Sequence, residues 1–106
     1  MIVMELRHLE IFNKVVDFRS FSKAAEALYL TQPTISSHIK ALEDALGIKL
    51  LDRVGREIKL TQGGGILYGY SKKIVRLKKE AKRALERYAG EMSGKLEMGG
   101  STIPGV

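Results

Sequence analysis

Cysteine and tryptophan are both missing from this sequence, and histidine occurs only twice, at His8 and His38. Without cysteine the chain can form neither a disulfide framework nor a thiolate metal site, so redox chemistry does not indicate a compartment. Two isolated histidines supply no cluster of metal ligands. We therefore expect no bound metal ion and no cofactor.

Long apolar runs are also missing. No stretch approaches the ~18 consecutive apolar residues of a membrane span, and the opening MIVMELRHLE reaches charged residues too early for a signal peptide. We expect a soluble, cytoplasmic protein with no membrane partner. The sequence also offers no general acid paired with a base and no nucleophile with an activating partner, so we do not expect an enzyme.

The basic charge is unevenly distributed along the chain. The 106 residues carry a net charge of +6, and 44% of them are hydrophobic, which is enough for one small core. Residues 61–106 contain nine Lys and Arg against four Asp and Glu, whereas residues 1–60 are nearly balanced. This excess favours an acidic partner, although many basic proteins bind no anion.

Apolar residues at three- and four-residue spacing predict a first helix from about Glu5 to Phe18. Ser22 is the expected N-cap of a short, alanine-rich second helix, KAAEALYL. The side chains expected in the core of this region are Leu6, Phe12, Phe18, Phe21 and the alanines of the second helix.

A third helix has clear signals at both ends. Thr31 caps it, Pro33 stands in its first turn, where a missing N–H costs nothing, and Gly47 ends it in the left-handed conformation. Its apolar stripe consists of Ile35, Ile39, Leu42 and Leu46. After this helix, IKLLDRVGREIKLT alternates around Gly55 as in a short β-hairpin.

A long fourth helix is predicted to begin after Thr61. Its apolar positions follow a sustained heptad, which indicates a partner helix. A helix of about 28 residues extends about 40 Å, more than a domain this small can cover. An ordinary core stripe packed on the first helix is the alternative. The predicted dimerisation residues are Leu67, Tyr70, Ile74, Leu77, Ala81, Ala84, Leu85 and Tyr88.

The outward face of the third helix is small, polar and nearly uncharged in its N-terminal half. Serine and threonine hydroxyls can donate to or accept from base edges, and glutamine can pair with adenine through two hydrogen bonds. The helix N-terminus adds N–H groups directed at phosphate. Two helices, a tight turn and a following basic hairpin make a winged helix-turn-helix. The alternative is that the hydroxyls act only as caps and turn formers.

Four segments, LRHLEIF, SFSKAAEAL, TQPTISSHIKALEDALGIKLLDR and LTQGG, occur in this order within residues 4–92. Together they closely resemble the DNA-binding domain of LysR-type transcriptional regulators. The resemblance implies a mainly α fold, in which a winged helix-turn-helix of three helices and a short β-hairpin wing is followed by a long dimerisation helix. It also implies a homodimer that binds double-stranded DNA at an interrupted palindromic operator, with the third helix in the major groove.

Carried over position by position, the resemblance implies a set of DNA-binding residues. Arg56 on the wing would reach the minor groove, where the negative potential favours a basic side chain, and Arg53 would support it or contact phosphate. His38 would have a structural or phosphate-contacting role. The full set is Ser22, Thr31, Gln32, Pro33, Thr34, Ser36, Ser37, His38, Lys40, Arg53 and Arg56.

Two features depart from the family pattern. Many members have arginine where this chain has Ser37, so base readout is expected to rely on the hydroxyls and Lys40. Three consecutive glycines at residues 63–65 stand where the family usually has one. Each extra glycine lowers the stability of a helix by up to about 1 kcal/mol, so the first turn of the fourth helix is predicted to be soft. A phosphate-binding loop is not indicated, because its lysine and spacing are missing.

The predicted organisation has three parts. Residues 1–61 form the winged helix-turn-helix, residues 62–92 the linker and dimerisation helix, and residues 93–106 the start of an effector-binding domain that is expected to be disordered by itself. This last part includes the strand-like KLEMG. In an intact protein, the resemblance implies that Ser101 and Thr102 would contact a small-molecule effector. A tetramer would likewise require the effector domain.

Two functions of different classes fit the sequence. The first is sequence-specific binding of double-stranded DNA by a dimeric transcriptional regulator of bacterial or archaeal type. The second is a winged-helix protein-interaction module that docks through the basic heptad helix. Substitution of the third-helix hydroxyls separates them, because it would reduce DNA specificity in the first case and leave partner binding intact in the second.

Overall fold

The computed structural model describes residues 4–55 and 57–95 of the chain. Its elements are, in chain order, α1 (Leu6–Phe18), α2 (Phe21–Leu28), α3 (Gln32–Leu46), β1 (Leu51–Val54), β2 (Glu57–Leu60) and α4 (Gln62–Lys95). The two strands pair antiparallel, with Leu51 opposite Leu60 and Val54 opposite Glu57. Four helices and one hairpin confirm the predicted winged helix-turn-helix followed by a long helix.

The start of α2 differs from the prediction. Ser20 is the N-cap, and its Oγ accepts a hydrogen bond from the backbone N–H of Lys23 at 3.1 Å. The prediction that Ser22 caps this helix was therefore wrong. Phe21, the first helical residue, is buried in the core, and its burial places the helix start before Ser22. Ser22 instead lies exposed in the first turn of α2.

One apolar core is enclosed by α1, α2, α3 and the hairpin. Phe12, Ile35 and Leu42 are fully buried within it. Ala24 and Ala25 are also buried, and their small side chains allow α2 to approach its neighbours closely. Burial of such side chains is the main favourable contribution to folding.

Three of the residues expected in the core are not buried. Phe18 is 41% exposed at the end of α1, where the Nζ of Lys14 lies 6.0 Å from its ring centroid, so its assignment to the core was wrong. Leu6 is half-buried at the start of the same helix, and Ala27 is exposed on α2. In each case the residue lies at a helix end or on the outer face, where the core does not reach.

The third helix has the predicted caps. The Oγ1 of Thr31 accepts from the backbone N–H of Thr34 at 3.3 Å, and Pro33 lies in the first turn. At the other end Gly47 has a φ of 70°, the left-handed conformation that glycine adopts without steric cost. Ile35, Ile39 and Leu42 face the core, as predicted.

The first turn of α4 packs closely against the segment that precedes β1. The Oγ1 of Thr61 donates to the carbonyl of Lys49 at 2.6 Å and accepts from the N–H of Gly64 at 2.9 Å. A Cβ atom on Gly64 would lie 2.0 Å from the carbonyl oxygen of Leu50, and one on Gly63 would lie 2.7 Å from a methyl carbon of Ile48. Two glycines of the triplet therefore permit a close backbone approach, a role that the sequence did not reveal.

Polar pairs join the beginning of α4 to α1. The buried Ser71 donates from its hydroxyl to the Oδ1 of Asn13, whose Nδ2 donates to the backbone carbonyl of Ser71 at 3.4 Å. Three residues earlier, the ring of Tyr68 meets the ring of Phe12 edge-on, with their centroids 6.3 Å apart. These paired polar groups fix the register of α4 on α1, since a shifted helix would leave buried groups without partners.

The phenol of Tyr68 donates a hydrogen bond to the carboxylate of Asp17. This bond, together with burial and the negative charge of Asp17, raises the pKa of Tyr68 from 10.0 to about 12. The carboxylate stabilises the protonated phenol, because a phenolate beside it would place two negative charges together.

Of the described residues, those up to Val75 form one compact unit, and those from Arg76 to Lys95 belong to a second. In the second unit α4 continues to Lys95, and every side chain from residue 76 to residue 91 is exposed. Arg76 and Glu80 form a salt bridge across one helical turn at 3.8 Å. Of the predicted KLEMG strand, Lys95 is the last residue of α4, and the remainder lies outside the described residues.

Candidate nucleic-acid interface

The turn between α2 and α3 is held in a fixed conformation by backbone hydrogen bonds. Tyr29 adopts a left-handed φ of 58° and donates its N–H to the last turn of α2, while the N–H of Leu30 bonds to the carbonyl of Ala25 at 2.9 Å. The chain then enters α3 through the Thr31 cap after only three residues. A short turn with this geometry fixes the angle at which α2 presents α3.

The N-terminal half of α3 presents a mostly exposed polar face. Gln32, Pro33 and Ser37 are exposed there, and Lys40 continues the same face one turn later. Thr34, Ser36 and His38 are half-buried on its flanks. The structure therefore brings together, on one helix, seven of the predicted DNA-binding residues.

Two hydroxyl contacts order the first turn of α3. The hydroxyls of Thr31 and Thr34 lie 2.8 Å apart, so each already has a partner within the cap. The hydroxyl of Ser22 on α2 donates to the Oε1 of Gln32 at 3.2 Å. This second contact joins two predicted DNA-binding residues that are ten positions apart in sequence, and nothing in the sequence pattern indicated it.

Arg53, on β1 of the wing, stacks on the ring of Phe21. The guanidinium carbon lies 4.4 Å from the ring centroid, a distance typical of a cation–π contact. Phe21 is buried in the core, so the ring is a rigid support for the arginine. The groove between the wing and α3 is lined by Arg53 together with Ser36 and Lys40. Three predicted DNA-binding residues therefore share one groove.

Glu43 anchors the wing to α3. One of its carboxylate oxygens accepts the backbone N–H of Leu50 at 2.8 Å and that of Leu51 at 3.2 Å. A carboxylate that accepts two backbone N–H groups is a strong hydrogen-bond acceptor, so it ties the start of β1 to the recognition helix. Nothing in the sequence pattern indicates this role, because the partners of Glu43 are backbone groups brought close only by folding.

The two histidines lie beside each other, one on α1 and one on α3. The ring centroids of His8 and His38 are 5.2 Å apart, with the ring planes tilted by 55°. The Nδ1 of His8 accepts the backbone N–H of Glu5 at 3.5 Å, across the start of α1. His38 thus contacts another helix of the domain, which fits the structural part of its predicted role.

Some predicted residues cannot be placed at this interface. Arg56, Ser101 and Thr102 lie outside the described residues. Within residues 4–55 and 57–95, no group of three or more His, Asp or Glu side chains is arranged to hold a metal ion. No helix in that part of the chain is both long and apolar enough to cross a membrane.

The predicted dimerisation residues lie on α4. Before Val75, Leu67 is half-buried against the core, whereas Tyr70 is 63% and Ile74 is 40% exposed. Beyond it, Leu77 and Leu85 are both more than 60% exposed, and Tyr88 is more than half exposed. Ala81 and Ala84 are exposed as well. The single chain therefore leaves most of the predicted stripe uncovered.

Comparison with known protein families finds a match over residues 6–65. The matching family is described as bacterial regulatory helix-turn-helix protein, lysR family. This range includes α1 to β2 and the glycine triplet at the start of α4.

Individual proteins agree with this match. An uncharacterized HTH-type transcriptional regulator of Azotobacter vinelandii is 41% identical over 90% of this chain and 66% of its own length. The HTH-type transcriptional regulator CbbR of Rhodospirillum rubrum is 39% identical over 89% of this chain, which spans only 32% of that regulator. The crystal structure of the BenM_DBD/benA site 1 DNA complex has a protein chain with 42% identity and a TM-score of 0.77, covering 81% of this chain and 97% of that one.

Proposed function

Because the chain belongs to the lysR family of bacterial regulatory helix-turn-helix proteins, we propose that it is the DNA-binding part of a dimeric transcriptional regulator. In this proposal the chain recognises a specific site in double-stranded DNA. The observation that carries it is the exposed polar first half of α3, placed beside Arg53 of the wing. The related BenM_DBD was crystallised in complex with DNA, which supports the same function here.

On DNA, α3 enters the major groove with its N-terminal turns towards the bases. Ser36 and Ser37 are short enough for close approach, Gln32 reaches further with its amide, and all three carry hydrogen-bonding groups that discriminate between base edges. Thr31 and Thr34 are already bonded to each other, and their part is to cap the helix. Pro33 has no N–H and that of Thr34 is bonded to Thr31, so the N–H of Gln32 is the first-turn donor that meets phosphate. Lys40 adds charge on the same face.

The wing supplies the second contact. Arg53 is held on Phe21 beside the groove, and a supported guanidinium loses less conformational freedom when it meets phosphate. The sequence resemblance implies that Arg56 is the residue that reaches the minor groove. Neutralising phosphates with such side chains releases counterions and makes affinity depend on salt.

The dimer completes the proposal. Two α4 helices paired through Tyr70, Ile74, Leu77, Leu85 and Tyr88 would bury apolar side chains that the single chain leaves in water. A two-fold dimer places two copies of α3 on one face of the duplex, so the operator is an interrupted palindrome with half-sites spaced by whole helical turns.

Selection from a randomised duplex pool tests the proposal directly. The pool is titrated with the protein at two salt concentrations, and the bound fraction is sequenced. We expect enrichment of a two-fold-related motif, and the distance between its halves gives the spacing. Binding of the pool with strong salt dependence and no enriched motif would contradict specific recognition.

Leu77→Asp tests the dimer. A charge placed in the paired helices would separate them, so we expect the sedimentation mass to fall from that of a dimer to that of a monomer, and operator affinity to fall with it. Leu77→Met, which conserves volume and apolar character, is the matched control and should remain dimeric. If the chain were instead a protein-interaction module, Leu77→Asp would abolish binding of a protein partner, and the selection would enrich no DNA motif.

Arg53→Ala tests the wing. Loss of one phosphate contact should lower the slope of log affinity against log salt by about 1. Arg53→Lys keeps the charge and should keep most of the slope, while weakening binding because the contact of the guanidinium with the Phe21 ring is lost. An unchanged slope in Arg53→Ala would place this residue outside the interface.

The remaining parts of the proposal concern the longer regulator. The chain spans about a third of a full-length relative such as CbbR. We propose that, in a chain of that length, an added domain binds a small-molecule effector, with Ser101 and Thr102 near its start, and that tetramers form through it. We place the protein in the cytoplasm, with its DNA, and assign it no enzymatic activity.

A further inference from the structure

The hydrogen bond between Ser22 and Gln32 holds the oxygen of the glutamine amide towards α2. The hydroxyl of Ser22 donates to Oε1 of Gln32 at 3.2 Å, longer than the roughly 2.5–3.0 Å usual for a hydroxyl donor. An amide whose oxygen points at α2 presents its two N–H donors on the other side. Ser22 and Gln32 are both exposed, so those donors are free to meet a base edge.

The charges around this bond favour the same orientation. The groove beside it is lined by Ser22 and Gln32 together with two arginines, Arg19 and Arg53, and one glutamate, Glu57. The amide oxygen carries the negative end of the amide dipole. Two positive charges against one negative charge therefore favour the orientation in which this oxygen faces the groove. The hydroxyl and the charge balance therefore act in the same direction.

We propose that Ser22 is a positioning residue that makes Gln32 a donor-only reader of the major groove. Guanine presents two adjacent acceptors there, N7 and O6, whereas adenine presents one acceptor beside an N–H donor. Bidentate pairing with adenine requires the amide oxygen and nitrogen to face the base together, and the bond to Ser22 turns the oxygen away. Gln32 therefore selects guanine over adenine at the base pair it contacts.

This inference rests on the proposed function, because it assumes that α3 enters the major groove. It also gives Ser22 a different role from a direct DNA contact. A positioning residue acts only while the side chain it positions is present. A direct contact contributes independently of Gln32.

The test begins with the operator that the selection identifies for the unmodified chain. Binding of the 106-residue protein is measured by fluorescence anisotropy on duplexes that carry guanine or adenine at each half-site position. Gln32→Ala identifies the position whose preference depends on Gln32. We expect the unmodified chain to prefer guanine there, by roughly tenfold for a well-formed pair of hydrogen bonds.

Ser22→Ala frees the amide to rotate, and the preference for guanine over adenine should fall by roughly threefold to tenfold. Ser22→Thr keeps the hydroxyl and should keep the preference for guanine. Ser20→Ala is the matched control, since it removes a hydroxyl two residues away that caps α2 without contacting Gln32; it should lower the melting temperature and leave the base preference unchanged.

A double-mutant cycle then separates positioning from direct contact. In the Gln32→Ala background, Ser22→Ala should have no further effect on base preference. Gln32→Glu keeps an oxygen for Ser22 and removes both N–H donors, so it should abolish the preference for guanine even though Ser22 is intact.

The outcomes are distinct. Three results together support the inference: Ser22→Ala loses the preference for guanine, Ser22→Thr retains it, and Ser22→Ala has no further effect in the Gln32→Ala background. An unchanged preference in Ser22→Ala, an adenine preference in the unmodified chain, or an additive effect in the double variant overturns it while leaving the proposed function in place. Absence of any enriched motif for the unmodified chain overturns the proposed function, and this inference with it.

Discussion

The two parts of α4 differ in what covers their apolar side chains. Up to Val75, Leu67 and Tyr68 pack against the domain core and Ser71 is fully buried against α1, although Tyr70 and Ile74 are exposed. From Arg76 onward, Leu77, Leu85 and Tyr88 are all more than half exposed. The heptad runs through both parts without a break. A regular apolar pattern thus predicts that a helix face will be covered. It does not show whether the covering residues come from the same chain or from a partner chain.

This difference has an energetic consequence. A helix without a packed face has little stability of its own in water, because propensity alone barely offsets the entropy lost on folding. The first part of α4 is stabilised by its own domain, through the glycine approach, the Asn13–Ser71 pair and the Tyr68–Asp17 bond. The second part has no such cover within the described chain, and the dimer proposed above would supply one.

The largest predicted difference is between the core and the second part of α4. Phe12→Ala removes a fully buried ring and should lower the free energy of unfolding by about 3–5 kcal/mol. Leu85→Ala, at a position 66% exposed in the single chain, should change the unfolding of a dilute monomer by less than about 0.5 kcal/mol. Urea unfolding at low and high protein concentration checks both. A large effect of Leu85→Ala at low concentration would mean that the chain covers this residue itself.

Substitutions in the glycine triplet give the next largest effect, and the matched control is the adjacent residue. Gly64→Ala places a Cβ 2.0 Å from the carbonyl oxygen of Leu50, so α4 must shift, at about 3 kcal/mol or more. Gly65→Ala meets no atom within 4 Å and should stabilise the helix by up to about 1 kcal/mol. Thermal unfolding of the two variants compares them. Equal effects would show that the close approach at Gly64 does not exist in solution.

The smallest effect depends on pH. The pKa of Tyr68 is raised to about 12 in the folded chain from 10.0, so its bond to Asp17 stabilises the fold fully below pH 10 and loses that contribution between pH 10 and about 12. Tyr68→Phe should cost about 1 kcal/mol or less at neutral pH, and the difference from the unmodified chain should shrink over this range.

Ultraviolet difference titration measures the phenol directly. The unmodified chain should show one tyrosine with a midpoint near 12 that is missing from Tyr68→Phe. In Asp17→Asn the charge and the strong acceptor are lost, so the midpoint of Tyr68 should move towards 10.0. A midpoint that does not respond to Asp17→Asn would assign the shift to burial instead.

The sequence predicted α3 more accurately than α2. Thr31, Pro33 and Gly47 are local signals, because a cap, a first-turn proline and a left-handed glycine act within one helical turn. For α2 the same reasoning selected Ser22 when Ser20 is the cap. Two serines two residues apart are both adequate caps, and the choice between them came from burial of Phe21, a tertiary contact.

The candidate site shows the same division. The exposure of Pro33, Ser37 and Lys40 was predicted from helical periodicity, which needs only the sequence. The support of Arg53 by Phe21, the anchoring of the wing by Glu43 and the contact of Ser22 with Gln32 were not predicted. Each joins residues on different elements, and the distance between such residues depends on how the elements pack.

By itself, then, the sequence determined the helices, the hairpin, the polar face of α3 and the apolar stripe of α4, because spacing and capping act between residues a few positions apart. The tertiary structure alone decided that Gly64 lies against the backbone of Leu50, that Tyr68 and Ser71 fix α4 on α1, and that the amide of Gln32 is turned towards Ser22. These depend on contacts between distant parts of the chain, which exist only when the core has brought them together.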